Sequence, residues 1–359
     1  AIVFGLMGVI NLAHGELIML GAYTTYVVQL IFKLPFLAPI YNAYVLVAIP
    51  CAFVVSGVIG ILLERTVIRR LYGNPLETLL ATWGVSLILQ QFVRSVPLAY
   101  AAGMVVFLVL GFSLPLLLPK PLLEGRQSRW ARSAGWAVSA LLGVLCAGGL
   151  ASQISRIARA TSRNVDVTAP KWMRGGLEWM DLTFPVPRLV IIVMTFIAVV
   201  GVIWFLNRSV WGIRIRAVTQ NRSMSDCLGI PTDTVDVLTF GIGSGLAGVA
   251  GVAVSLLGSV GPNVGTSYIV GCFMVVVLGG VGNLLGTVLA SFAIGLLTDL
   301  IGAGRLLTIW PDMPGPLAGG VEFFATTSMA QVMVFALIVV FLQFRPAGLF
   351  PQKGRMVEA

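Results

Sequence analysis

Long apolar runs, separated by short polar segments rich in arginine, dominate this chain. A run of about twenty apolar residues, at about 1.5 Å per residue, crosses a hydrocarbon core of roughly 30 Å. On that basis spans are expected at 15–32, 40–63, 78–93, 97–118, 134–151, 186–206, 237–258 and 330–344, and residues 1–10 read as the tail of one more. The stretch 268–300 carries no charge before Asp299; as a single helix it would run about 50 Å, too long for one crossing. Its Gly279-Gly280-Val281-Gly282-Asn283 is a natural break, so two short helices are expected there, entering and leaving on the same side. The expected fold class is an all-α integral membrane protein with about 9–10 transmembrane helices.

Composition excludes the soluble alternative that the length of 359 residues would allow. Hydrophobic residues make up 58% of the chain and charged residues 10%, against about 25% charged in soluble domains, and the mean hydropathy is +0.97. The net charge of +9 would suggest nucleic acid in a soluble protein; here it reads as basic residues collected in cytoplasmic loops, with no nucleic-acid partner. Loops 64–77 (Arg65, Arg69, Arg70), 120–133 (Lys120, Arg126, Arg129, Arg132), 207–236 (Arg208, Arg214, Arg216, Arg222) and 345–359 (Arg345, Lys353, Arg355) hold most of the 23 lysines and arginines. They are therefore placed in the cytoplasm, together with the C-terminus. The parity closes only if 268–300 returns to the side it came from.

The chain reads as one transmembrane domain over 1–359. Its first half is 15–95, and its second half is 163–344, which carries the cytoplasmic loop 207–236 before a tail at 345–359. The segment 96–162 reads as an inserted helical hairpin that could be removed without reversing any other span. Because Ala1 lies inside an apolar stretch, the true N-terminus is expected upstream. Gly73-Asn74-Pro75-Leu76-Glu77-Thr78 and Gly229-Ile230-Pro231-Thr232-Asp233-Thr234 share Gly-x-Pro-x-acid-Thr, either through a duplicated half or because proline and an early acid both suit a helix start.

Little in the chain points to catalysis. Cys51, Cys146 and Cys272 lie in apolar runs and Cys227 in a polar loop, without disulfide or metal spacing. His14 is the only histidine and cannot build a metal site alone. No Gly-Lys dipeptide occurs, so there is no phosphate-binding loop of the ATPase type. No catalytic residues and no cofactor are expected in this chain.

Polar residues inside apolar surroundings are the better candidates. Asn11-Leu12-Ala13-His14-Gly15-Glu16 interrupts apolar sequence on both sides. It reads either as a broken helix opening a substrate path beside Glu16, or as a cytoplasmic turn capped by His14 and Glu16. Thr78, Thr82, Ser86 and Gln90 recur every four residues, as do Thr25 and Gln29; such stripes either line a path for a polar solute or bond between helices. Gly241, Gly245, Gly248 and Gly251 suit close helix packing against a partner that the pattern does not identify. In the loop 207–236 a helix is expected from about Ile213 to Leu228, stopped by Gly229 and Pro231. Ala217, Met224 and Leu228 share one face, with Arg216, Thr219, Ser223 and Asp226 around the other. Such a helix either docks a soluble motor or lies on lipid.

These segments together resemble a known family. Gly5-Leu6-Met7-Gly8-Val9-Ile10-Asn11-Leu12-Ala13-His14-Gly15-Glu16, followed by Met19-Leu20-Gly21-Ala22-Tyr23, is similar to the N-terminal signature of membrane permeases in ABC importers for branched-chain amino acids and urea. Gly212-Ile213-Arg214-Ile215-Arg216-Ala217-Val218-Thr219-Gln220-Asn221-Arg222 with Leu228-Gly229-Ile230 looks like the segment of that family that contacts the ATPase. Val275-Val276-Val277-Leu278-Gly279-Gly280-Val281-Gly282 and Arg345-Pro346-Ala347-Gly348-Leu349-Phe350 match as well, so the likeness runs along roughly 1–95 and 163–359. Residues 73–84 and 216–222, with Arg355, look closer to the urea-type permease than to the leucine type. The first helix is shorter than in the family, and the hairpin around 96–162 is foreign to it.

The resemblance implies an ATP-driven importer of urea in a bacterial inner membrane. A periplasmic solute-binding protein would deliver to this chain and a related second permease, and two ATP-binding subunits would hold ATP and Mg. Under this reading Asn11, His14, Glu16, Thr25, Gln29, Thr82, Ser86 and Gln90 line the path. Arg214, Arg216, Ala217, Gln220, Asn221, Met224, Leu228 and Gly229 form the ATPase-coupling helix. The alternatives are a branched-chain amino acid permease of the same build and, less well matched, an ATP-independent channel or carrier.

Overall fold

The computed structural model describes residues 10–33, 38–72, 74–95, 103–105, 107–109, 138–145, 164–179, 182–303, 326–345 and 348–350. Among these, six helices are long and apolar enough to cross a membrane: α1 (His14–Phe32), α2 (Tyr44–Thr66), α3 (Pro75–Ser95), α4 (Val186–Arg208), α7 (Thr232–Leu257) and α9 (Leu284–Gly302). Two shorter apolar helices are α8 (Val264–Gly279) and α10 (Thr327–Phe344), and two polar ones, α5 (Val210–Gln220) and α6 (Arg222–Cys227), join α4 to α7. The all-α membrane class is thus what the chain adopts. The expected span tail at 1–10 falls almost wholly outside the described residues. So does most of the hairpin, of which short helical pieces within 103–109 and 138–145 are seen, with Gly143 against the Gly103 backbone.

Helix ends depart from the apolar runs in an informative way. α3 starts at Pro75, ahead of the run at 78, with Glu77 in its first turn, a position where proline loses nothing and an acid meets the helix dipole. α7 starts at Thr232 although its apolar run begins at 237, because its polar first turns are helical too. Hydropathy marks the part inside hydrocarbon, whereas capping chemistry marks where the helix stops. Apolarity also missed a two-stranded antiparallel hairpin in the long loop before α4, β1 (Gly176–Trp179) with β2 (Leu182–Pro185).

The chain divides into two compact units, the boundary falling between Ser267 and Tyr268 inside α8. In the unit Ile10–Ser267, α7 lies against both α1 and α2. Its glycine seam faces helices of the same chain: Gly241 meets Ile61, Gly245 the ring of Phe53, Gly248 the backbones of Ala52 and Gly21, and Gly251 that of Ile18 and Ala22. A Cβ at Gly21 would overlap the Gly248 backbone, so backbone contact here rests on missing side chains. Leu17, Met19, Tyr44 and Phe240 fill the buried centre. α4 is different, with no buried residue along its length.

In the second unit, Ile301, Ala330, Val334 and Ile338 form a core between α9 and α10. The break between α8 and α9 falls at the glycines: Gly280 has φ +99 and Gly282 φ +90, a region where a Cβ is strained. Asn283 caps α9 by accepting from the Gly286 N–H at 3.0 Å. The segment 348–350 closes this turn. Leu349 N–H donates to the Leu278 carbonyl at 2.8 Å, and Gly348 takes φ +76 to fit against Val277 and Leu278.

Candidate functional site

Two rulers place Glu16 deep in the bundle. Along α3, the Thr82 hydroxyl accepts from Leu12 N–H at 3.2 Å, while Ser86 and Gln90 reach Glu16. At 1.5 Å per residue Thr82 stands about 10 Å, and Gln90 about 22 Å, from the start of α3. Along the antiparallel α2, Ser56 Oγ donates to the Leu17 carbonyl at 3.1 Å, about 15 Å from that helix's end at Thr66. Residues 10–13 are non-helical at this depth, which is tolerated only where protein satisfies the backbone; Thr82 does so for Leu12. The segment 11–16 is thus packed within the bundle. Neither His14 nor Glu16 caps it, since the N-cap is Ala13 with no side-chain bond.

Glu16 is 1% exposed. Its Oε1 accepts from Gln90 Nε2 at 2.8 Å, Ser86 Oγ at 3.0 Å and Thr266 Oγ1 at 3.2 Å. Gln90 also donates to Thr266 at 2.8 Å, which ties α1, α3 and the first turn of α8 together. Oε2 is buried with no hydrogen-bond partner among the described residues. Glu16 lies in the first turn of α1 and beside the first turn of α8, where Gly265 leaves room next to Oε2; both helix starts favour negative charge. Arg94, one turn beyond Gln90 on α3, donates to Asn263 Oδ1 at 2.7 Å.

The expected path residues split into groups. Thr82, Ser86 and Gln90 face the 11–16 segment, and the stripe's first member, Thr78, bonds back to the Leu71 and Asn74 carbonyls. Asn11 and His14 are buried or nearly so, and both amide atoms of Asn11 and Nδ1 of His14 lack partners among the described residues. Thr25 bonds within α1 to the Gly21 carbonyl at 2.9 Å. Gln29 lies at the far end of α1, donating to the Tyr41 hydroxyl at 2.9 Å and the Thr168 carbonyl at 3.1 Å. Those two do not join Glu16.

The expected single helix 213–228 is two helices. α5 ends at Gln220 and α6 begins at Arg222, because Asn221 leaves helical geometry and its side chain accepts from Met224 N–H at 2.9 Å, a helix start in mid-segment. Gly229, with φ +77, ends the pair. Arg214 stacks on Trp211 at 4.9 Å, and Arg216 donates to Asn207 at 3.5 Å. Ala217 is half-buried and Gln220 exposed; Ile213, Met224 and Leu228 form an exposed apolar set.

One charged cluster escaped sequence reasoning. Arg222, at the start of α6, pairs with Asp236 of α7 at 2.7 Å, lies 4.0 Å from Asp233, and covers the Tyr72 ring at 4.7 Å. Arg69 pairs with Asp233. Asp236 is 4% exposed and Glu64 1%, the latter with Oε2 unpartnered among the described residues. Burial first, then the Asp236 and Glu64 carboxylates, push the Tyr72 phenol up from its ordinary value. Glu64 ends an apolar run beside Arg65, and Asp236 stands at the edge of the apolar run of α7, three residues after Asp233, places where exposure is the ordinary expectation. Their only sequence signal is an acid on the apolar face of a helix end. Among the described residues no group of three metal-ligating side chains could hold an ion.

Comparison with known proteins adds a family. A model described as "Branched-chain amino acid transport system / permease component" matches residues 1–96 and 78–342. The high-affinity branched-chain amino acid transport system permease protein BraD of Pseudomonas aeruginosa is 25% identical over 349 residues, 97% of this chain and 87% of BraD. The corresponding LivH of Escherichia coli is 25% identical over 353 residues, with 97% and 87% covered. The autoinducer 2 import system permease protein LsrC of Salmonella paratyphi B is 23% identical over 289 residues, covering 76% of this chain and 81% of LsrC. No solved structure matches.

Proposed function

Because the chain belongs to the family of permease components of branched-chain amino acid transport systems, we propose that it forms the transmembrane path of an ATP-driven importer for branched-chain amino acids. As a member of that family it is a multi-pass membrane transport protein and not an enzyme. Urea, expected from local likeness in 73–84 and 216–222, gives way to the alternative: the relatives above are named for branched-chain amino acids and for autoinducer 2.

The observation that carries the ATP-driven reading is the α5–α6 elbow. It leaves Ile213, Met224 and Leu228 exposed while Arg222 holds its second helix to α7. An apolar set on a short helical segment suits a groove on an ATP-binding subunit, and an ion pair behind it suits transmission of that subunit's movement to the spans. The remaining parts are a second permease, two ATP-binding subunits and an external solute-binding protein, with the C-terminus in the cytoplasm. The test is uptake of labelled leucine and labelled urea into proteoliposomes that hold the full assembly and its binding protein. ATP-dependent leucine uptake is expected. Urea uptake without leucine uptake would overturn the substrate, and uptake of either solute without ATP would overturn the motor in favour of a channel or carrier.

A further inference from the structure

The geometry points to a strip between α1 and α3, from Glu16 to Arg94, as a site that takes the charged ends of a zwitterionic α-amino acid: ammonium on Glu16, carboxylate on Arg94. The proposal rests on the amino-acid reading above and names where that solute is held. A zwitterion needs one group of each sign, a short distance apart, wherever water is excluded. Glu16 supplies the negative group deep in the bundle, with Oε1 saturated by Ser86, Gln90 and Thr266 and Oε2 buried without a partner among the described residues. No ion pair reaches it among the described residues.

Arg94 supplies the positive group. Ser86, Gln90 and Arg94 follow one another at four-residue steps, so they share a face of α3, and Arg94 stands about 6 Å along the axis from Gln90. Its present partner is the neutral side chain of Asn263, which a carboxylate can replace with a stronger, charge-assisted bond. Tyr23 lies seven residues from Glu16, on the same face of α1, and its buried hydroxyl also lacks a partner among the described residues. A carboxylate at Arg94 would give that hydroxyl an acceptor. Leu20, Tyr26 and Val27 of α1 belong to the buried apolar cluster against which Leu89 and Val93 of α3 pack, so the surroundings of the strip are apolar and read no particular side-chain shape. The strip would therefore read the two charged ends common to all α-amino acids and leave the choice of side chain to the binding protein. Neutral urea has no use for either charge.

The decisive measurement is the amount of leucine moved per ATP hydrolysed in proteoliposomes of the complete importer. Glu16→Gln and Arg94→Gln are each expected to lower that ratio at least tenfold, and Glu16→Asp and Arg94→Lys to recover most of it. A purely structural lesion would lower transport and hydrolysis together and leave the ratio alone. Should Glu16→Gln fail to assemble, Arg94→Gln, at an exposed position near the end of α3, gives the same readout. Wild-type ratios in the assembled Gln variants would overturn the site while leaving the amino-acid importer intact. A wild-type importer that moves no leucine would overturn the importer reading and this site with it.

Discussion

Arg222 faces Asp236, Asp233 and the Tyr72 ring at once, so one side chain on α6 bears on α7 and on the turn after α2. Asp236 is nearly buried while Arg222 is half-exposed, so the pair is only partly screened by solvent. Removing the arginine leaves a buried carboxylate uncompensated, a cost of roughly 2 kcal/mol. Arg222→Ala is expected to lower ATP-dependent uptake at least fivefold, and the exchange of Arg222→Asp with Asp236→Arg to restore much of it, read as uptake in proteoliposomes. Equal loss in the single and exchanged variants would mean that the charge pair itself transmits nothing. Neither Glu64 nor Asp236 stood out in the sequence. Glu64 closes an apolar run next to Arg65, and only the packing of α7 over α2 takes it out of water.

At the scale of elements, two motifs about seventy residues apart are one structure. Gly279-Gly280-Val281-Gly282 makes the break between α8 and α9, and Gly348-Leu349-Phe350 fills it, with Leu349 capping the free carbonyl of Leu278. Free carbonyls at a helix end need such a donor. Gly348 has φ +76 and is crowded by the Val277 and Leu278 carbonyls. Gly348→Val is therefore expected to destabilise the turn by about 2 kcal/mol, seen as a lowered thermal midpoint of the detergent-solubilised protein; an unchanged midpoint would show that the turn closes without it. The break itself was legible from its glycines, but the chain segment that closes it was not, because hydrogen bonding across that distance leaves no periodic trace. The segment 207–236 shows the same limit. Its helical character followed from composition, whereas the interruption at Asn221 depended on a side chain choosing to cap rather than continue.

For the molecule as a whole, the apolar set Ile213, Met224 and Leu228 belongs to an assembly larger than this chain under the function proposed above. Leu228→Asp and Met224→Asp are expected to abolish stimulation of ATP hydrolysis by the loaded binding protein, with the variants still recovered in membranes. Stimulation equal to wild type in both would remove the ATPase-docking role and leave the segment to the lipid surface.

Hydropathy by itself determined the class and most of the spans, because insertion depends on the summed apolarity of local runs, a property each run carries alone. It also marked the α8–α9 break and the glycine seam, since missing side chains are visible one residue at a time. Tertiary structure alone decided which polar groups meet: Glu16 with Gln90 and Thr266, 74 and 250 residues away, and Arg222 with Asp236 across the start of α7. It also decided that the seam on α7 faces α1 and α2 of the same chain. The reason is physical: a buried carboxylate or hydroxyl takes whatever donor the fold brings within 3 Å or so, and that donor is chosen by helix packing, which no local stretch of sequence contains.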